Sequence, residues 1–261
     1  MSNGTQPVIL LGAQRSGTTA LGSVLSAAFA DTGSLFTNNG KLPYVLHRWC
    51  TDADLRGQHL RVDEMMHALR RKPPYGPQSA RWLEATERVL RAAARQVADG
   101  RAGDAVALRG RLVRDAYAGG IRFGDKYNEY LLELDQLAGT VPDAHWVLLV
   151  RHPADVAHSM LGWTGDRPWR PDNRMAALDK WVAWHEPWLR HPRATDPGLC
   201  TVLEYRRLCA GEDLRRLSAA LGLDLRPYAE LLQERPGEPD PAPLPGPVAH
   251  VWRSLLERRL Q

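Results

Sequence analysis

The chain of 261 residues is 44% hydrophobic and 25% charged, enough for one large α/β domain or two small ones with a substantial core, which excludes a fibre, a short peptide and a disordered tail. No apolar run approaches twenty residues, so neither a membrane span nor a secretory signal is expected. The net charge of +4 is carried almost wholly by arginine and contains no basic block of five or six residues; it reads either as dispersed surface charge or as a site for an anionic ligand, and argues against nucleic acid as a partner.

Pro7 to Leu11 is a continuous apolar run bounded by Pro and Gly, the pattern of a strand buried on both faces of a parallel sheet. After Gly17, residues Ala20, Leu21, Val24, Leu25, Ala28 and Phe29 recur at helical spacing, and Ser34 to Thr37 can form a short strand before the Asn38-Asn39-Gly40 turn. Residues 46–120 read as a helical insertion, its clearest helix running from about Ser79 to Gly100. Glu129 to Gly139 is expected to be helical, Trp146 to Val150 a second buried strand, and Asp155 to Leu161 the start of another helix. A helix over about Asn173 to Leu189 leads to a third buried strand, Thr201 to Tyr205, and then to a helix through Leu214, Leu217 and Leu221. Six prolines in residues 236–247 predict a stiff connector before a last helix around Val251 to Leu260. The cysteines Cys50, Cys200 and Cys209 lack zinc-ligand spacing, so no metal site is expected and they read as reduced thiols of a cytoplasmic protein.

Gly12-Ala13-Gln14-Arg15-Ser16-Gly17-Thr18-Thr19 lies between a predicted strand and a predicted helix, where backbone N–H groups can hold a phosphate. It departs from the nucleoside-triphosphate loop GxxxxGK[ST], because Thr18 stands where that motif has lysine and Arg15 supplies the charge instead. That lysine reaches the terminal phosphates in phosphoryl transfer, so an ordinary ATPase or kinase is the weaker reading.

Gln14 to Leu21 resembles the 5'-phosphosulfate loop of sulfotransferases that use 3'-phosphoadenosine-5'-phosphosulfate (PAPS), in its Arg-Ser-Gly-Thr-Thr bacterial form. The resemblance implies that Arg15 contacts the sulfate-bearing phosphate, while Ser16, Gly17, Thr18 and Thr19 hold its oxygens. Val150 to Ser159 resembles the family's 3'-phosphate segment, which implies Arg151 and Ser159 on that phosphate. Gly124-Asp125-Lys126 resembles the segment whose lysine stabilises the transferred group, with Tyr127-Asn128 where relatives often have Thr-Pro. Tyr205 matches a strand-end tyrosine near the adenine, and Arg253 only faintly matches a terminal cation. The fold implied is α/β and three-layered: a mostly parallel, P-loop-like sheet flanked by helices, forming one domain over residues 1–261.

The implied reaction is in-line transfer of a sulfuryl group from PAPS to a hydroxyl, or less readily an amine, of a small molecule, glycan or natural product, leaving 3'-phosphoadenosine-5'-phosphate (PAP). Arg15 and Lys126 stabilise the developing charge. For the base, His47 is the first candidate and Asp125 and Asp52 are its rivals, since no Glu occurs between Phe29 and Asp63. Trp181, Trp184 and Trp188 share a helical face that either packs the core or closes over the acceptor. A phosphotransferase of similar architecture and a basic nucleic-acid-binding protein are the competing readings; neither the acceptor nor the oligomeric state is legible in the sequence.

Overall fold

The computed structural model describes residues 6–76, 78–164, 169–233 and 242–259. Five strands form one all-parallel sheet in the order β2-β3-β1-β4-β5: β1 (Val8–Leu11), β2 (Leu35–Asn38), β3 (Phe123–Lys126), β4 (His145–Val150) and β5 (Cys200–Glu204). Every residue of β1 and β4 is buried, as continuous apolar strands covered on both faces must be.

One face is covered by α1 (Thr18–Asp31), which returns the chain from β1 to β2. Val8 and Leu10 point to that face and pack with Leu21, Val24, Leu25 and Phe29. Ile9 and Leu11 point the other way, into a larger core built by the long excursion between β2 and β3. That excursion comprises α2 (Leu42–Trp49), α3 (Asp52–Arg56), α4 (Val62–Arg71), α5 (Ser79–Ala98) and α6 (Ala105–Ala116). A 3-10 turn, Asn128–Leu132, and α7 (Leu134–Thr140) lead from β3 to β4. On the same face, α8 (Pro153–Leu161) and α9 (Arg174–Arg190) connect β4 to β5. After β5, α10 (Tyr205–Cys209) and α11 (Glu212–Leu221) rejoin the α1 face, whereas α12 (Gly246–Arg259) packs on the larger core. The helices leaving β1 and β4 therefore diverge to opposite faces, which opens a crevice between those neighbouring strands at their carboxyl ends.

Several boundaries differ from the sequence reading. The expected helix over residues 129–139 divides into the 3-10 turn and α7. Tyr205 does not end β5 but opens α10. The last helix begins at Gly246, with Pro247 in its first turn, where proline's missing N–H costs nothing. Of the expected Pro-rich connector, residues 236–241 lie outside the described residues. The strand that sequence periodicity missed is β3, because Phe-Gly-Asp-Lys is not an apolar run. Gly124 sits where a Cβ would lie 2.4 Å from the Phe36 ring and 2.8 Å from the Val8 carbonyl oxygen, so close strand packing forbids a side chain.

Candidate functional site

The carboxyl ends of the strands open into a cleft of about 1750 Å³. Its wall follows the sheet order, with Tyr205 after β5, Arg151 after β4, the loop of residues 12–19 after β1, Lys126 at the end of β3, and Asn39 and Lys41 after β2.

The loop is shaped by two left-handed residues, Arg15 at φ 71° and Gly17 at φ 93°. At Gly17 a Cβ would lie 2.5 Å from the Tyr205 ring, so glycine is required by both backbone and neighbour. Gly17 caps α1 without a side chain, and the first turn carries no acid, so the N–H groups at this helix entry face the cleft with no internal anion. Gln14, Arg15, Thr18 and Thr19 line the cleft here. Ser16 is wholly buried and does not, so the structure departs from the expectation that its hydroxyl faces a ligand.

Arg15 Nε donates to Ser159 Oγ at 3.0 Å, and its guanidinium lies 4.5 Å from the centre of the Trp163 ring. Ser159 therefore meets Arg15 and does not line the cleft itself. Arg151, only 7% exposed, lies over the Tyr205 ring at 4.7 Å, pairs with Asp155 at 3.9 Å and approaches the Arg15 carbonyl at 3.4 Å. Both guanidinium groups thus flank one crevice, on the two sides of the divergence between β1 and β4.

Lys126 faces the loop from β3 and is 4% exposed. Burial lowers its pKa from 10.5 to about 8, against the opposing pull of Glu129 and Asp125. Asp125 points away from the cleft and accepts from Thr37 Oγ1 at 2.8 Å, the Gly40 N–H at 2.9 Å, the Lys126 N–H at 2.7 Å and Tyr130 Oη at 2.6 Å. Four donors on a fully buried carboxylate make it the organiser of the β2 and β3 ends, while desolvation raises its pKa. Asn128 Nδ2 donates to the Gly12 carbonyl at 2.7 Å and to Thr18 Oγ1 at 3.2 Å, so it locks the β3 turn onto the loop.

His47 is not part of this constellation. The cleft side of α2 is taken by Tyr44, Val45 and Arg48, and at 3.6 residues per turn His47 falls on the flank away from it. Its half-buried ring is hydrogen-bonded to the Gln136 backbone beside Arg109, and burial together with that guanidinium lowers its pKa. Asp52 is occupied elsewhere, accepting from the Ala105 N–H at the start of α6 at 3.2 Å. A carboxylate that sequence reading passed over, Glu129, does line the cleft, one turn beyond Lys126. Its negative charge acts on Lys41, Lys126 and Lys180, and it adds to the effect of burial in raising the pKa of the Tyr127 phenol. The signal available in sequence was its place three residues after the lysine of Gly-Asp-Lys.

Trp181 and Trp188 are wholly buried and Trp184 nearly so, which makes that face of α9 core. Trp163 and Trp169 line the cleft instead. Among the described residues no helix is long and apolar enough to cross a membrane.

The fold is shared with the sulfotransferase domain of the olefin synthase of Synechococcus PCC 7002, at 18% identity and a TM-score of 0.61, covering 97% of this chain and 95% of that one. It is also shared with the sulfotransferase domain of the curacin biosynthetic pathway, at 15% identity and a TM-score of 0.56, covering 97% and 98%. No curated protein matches the chain in sequence. A model described as the sulfotransferase family matches residues 7–227, a span that runs from the first strand through the loop after β1 and Tyr205 to beyond α11. With that span matched, and with a cleft built on the carboxyl ends of a parallel sheet, the chain belongs to the sulfotransferase family.

Proposed function

We propose that residues 1–261 act as one domain that moves the sulfuryl group of PAPS to an acceptor hydroxyl. The reading rests on one observation above all: an uncapped helix entry facing a crevice between two guanidinium groups, with a buried lysine beside it whose charge is poorly solvated. A nucleotide with phosphates at both ends of its ribose presents an anion for each of the two cations.

In this reading the loop amides with Thr18 and Thr19 hold the 5'-phosphosulfate, and Arg15, oriented by Ser159, neutralises its charge. Arg151 takes the 3'-phosphate, with Tyr205 beneath its guanidinium closing the nucleotide end. Lys126, poorly solvated, gains most as negative charge grows on the oxygen shared between phosphorus and sulfur, so it favours the transition state over the ground state. Glu129 accepts the proton of the acceptor hydroxyl as oxygen bonds to sulfur, and the electron pair of the breaking S–O bond leaves on the 5'-phosphate of PAP.

The test is calorimetric titration of PAP into protein held in chelator. Micromolar or tighter binding together with sulfuryl transfer from labelled PAPS is expected. Magnesium-dependent ATP turnover without PAP binding would overturn the assignment.

A further inference from the structure

The β2 side of the cleft carries charge that the donor does not explain. Lys41 follows β2 at φ 55° with its ammonium buried against the end of α4, where Nζ donates to the Lys72 carbonyl at 2.9 Å. Asn39 Nδ2 donates to the same carbonyl at 3.0 Å, and Arg71 and Lys72 stand beside it on the cleft wall.

These cations differ from their neighbours on α4 and α5. Arg61 is matched by Asp54, Arg70 by Glu87, and Arg91 by Glu87 and Asp63. By contrast, the side chains of Arg71 and Lys72 have no hydrogen bond or ion pair among the described residues, and Lys41 uses its ammonium only on a backbone carbonyl. The acids facing Lys41 are Asp125 and Glu129. Asp125 is already saturated with donors, and Glu129 is shared with Lys126. Burial, with repulsion from Lys72 and Arg71 added to it, lowers the Lys41 pKa. Three cations are thus held together with no anion among them, a cost that a bound anion would offset.

Their position separates them from the donor. Asn38 is in register with Lys126, so the cluster begins one strand spacing, about 5 Å, beyond the lysine of the reacting centre. Arg151 follows β4, three spacings or about 14 Å from β2 at the strand ends. One nucleotide phosphate end cannot serve both.

We infer that the acceptor is an anionic molecule, its carboxylate, phosphate or sulfonate group held by Lys41, Arg71 and Lys72 while its hydroxyl lies between Lys126 and Glu129. This rests on the sulfotransferase reading above, and the test separates the two. Protein saturated with PAP is titrated calorimetrically with 4-hydroxyphenyl compounds bearing acetate, methylphosphonate or methanesulfonate, and with the uncharged 4-hydroxyphenylacetamide. At least one anion should bind about tenfold or more tighter than the amide, as charge-assisted contacts allow, and the preferred member identifies the group. In the Arg71→Ala, Lys72→Ala double variant, both positions being exposed, that preference should shrink to within about twofold while PAP still binds. Equal binding of amide and anions, or a preference unchanged in the variant, overturns the anion subsite alone. Failure of PAP to bind the parent protein overturns the donor reading beneath it.

Discussion

Replacing Lys126 by Met separates stability from function. The fall in its pKa from 10.5 to about 8 corresponds to about 3 kcal/mol against the charged form in the ligand-free fold. Between about pH 8 and 10.5 the unfolded chain holds a proton that the folded chain has lost, so stability rises with pH across that window. Below about pH 8 both states are protonated and the full cost applies. At pH 7, therefore, Lys126→Met should stabilise the ligand-free protein by about 1 to 3 kcal/mol, since a thioether fills a similar volume without the buried charge. Ligand binding inverts the balance. A doubly phosphorylated nucleotide restores the counter-charge and should pull the lysine pKa back up. At pH 8.5 only about one quarter of the free lysine is charged, so PAP binding should take up about three quarters of a proton. Calorimetry of PAP binding at pH 8.5 in buffers of different ionisation enthalpy reads this uptake directly. Lys126→Met should lose most of it and bind PAP more weakly, by a margin that is widest below about pH 8 and narrows as the pH rises toward the lysine's raised pKa in the complex. Equal uptake by parent and variant, or a variant less stable at pH 7, would refute the argument.

Three further outcomes follow from contacts in the cleft. Gly17→Ala puts a methyl group against the Tyr205 ring at a φ of 93°, so it should lower stability by about 2 kcal/mol in urea titration and abolish measurable PAP binding. Arg151→Ala should lose about 2 kcal/mol or more of PAP affinity but almost none for adenosine 5'-phosphate, which lacks the 3'-phosphate; equal losses for both nucleotides would remove the residue from that phosphate. Glu129→Gln should cut turnover by about a hundredfold or more, with the acceptor found by a labelled-PAPS screen, while PAP affinity changes less than threefold; unimpaired turnover would exclude it as the base.

The β1 and β4 side of the cleft was legible because its demands are local. A buried strand, a left-handed glycine and an uncapped helix entry occupy neighbouring residues, so the loop after β1 can be read in one stretch. Arg151 was legible for the same reason, since it terminates an unmistakable apolar strand. What sequence could not carry was direction around a helix. His47 had a suitable chemistry and a plausible distance along the chain, yet one turn of α2 places it against α7. Ser159 was expected on the same phosphate as Arg151, but the crossing of α8 beneath the loop brings it to Arg15 instead. Strand β3 was obscured because its stability comes from a saturated carboxylate and a glycine rather than an apolar pattern. The Trp-rich stretch divided by exposure: Trp163 and Trp169 reach the cleft, while the tryptophans at helical spacing in α9 fill the core.

The same asymmetry accounts for where this chain is free to specialise. On the β1, β4 and β5 side the cations are fixed from beneath: Arg15 by Ser159, and Arg151 by Asp155 and the Tyr205 ring. A ligand of constant shape, met at every turnover, rewards such preorganisation. On the β2 side the wall is made by the long excursion from α2 to α5, which meets the end of β2 in its middle, where the Tyr75 N–H donates to the Asn38 carbonyl at 2.8 Å. There Lys72 and Asn39 join α4 to β2 through a backbone carbonyl, so the side chains of Arg71 and Lys72 can change without disturbing the junction. Exchanging those two positions should therefore alter which acceptor is taken while leaving the donor site intact, the division of labour expected where a rigid sheet edge carries the chemistry and a helical insertion carries selectivity.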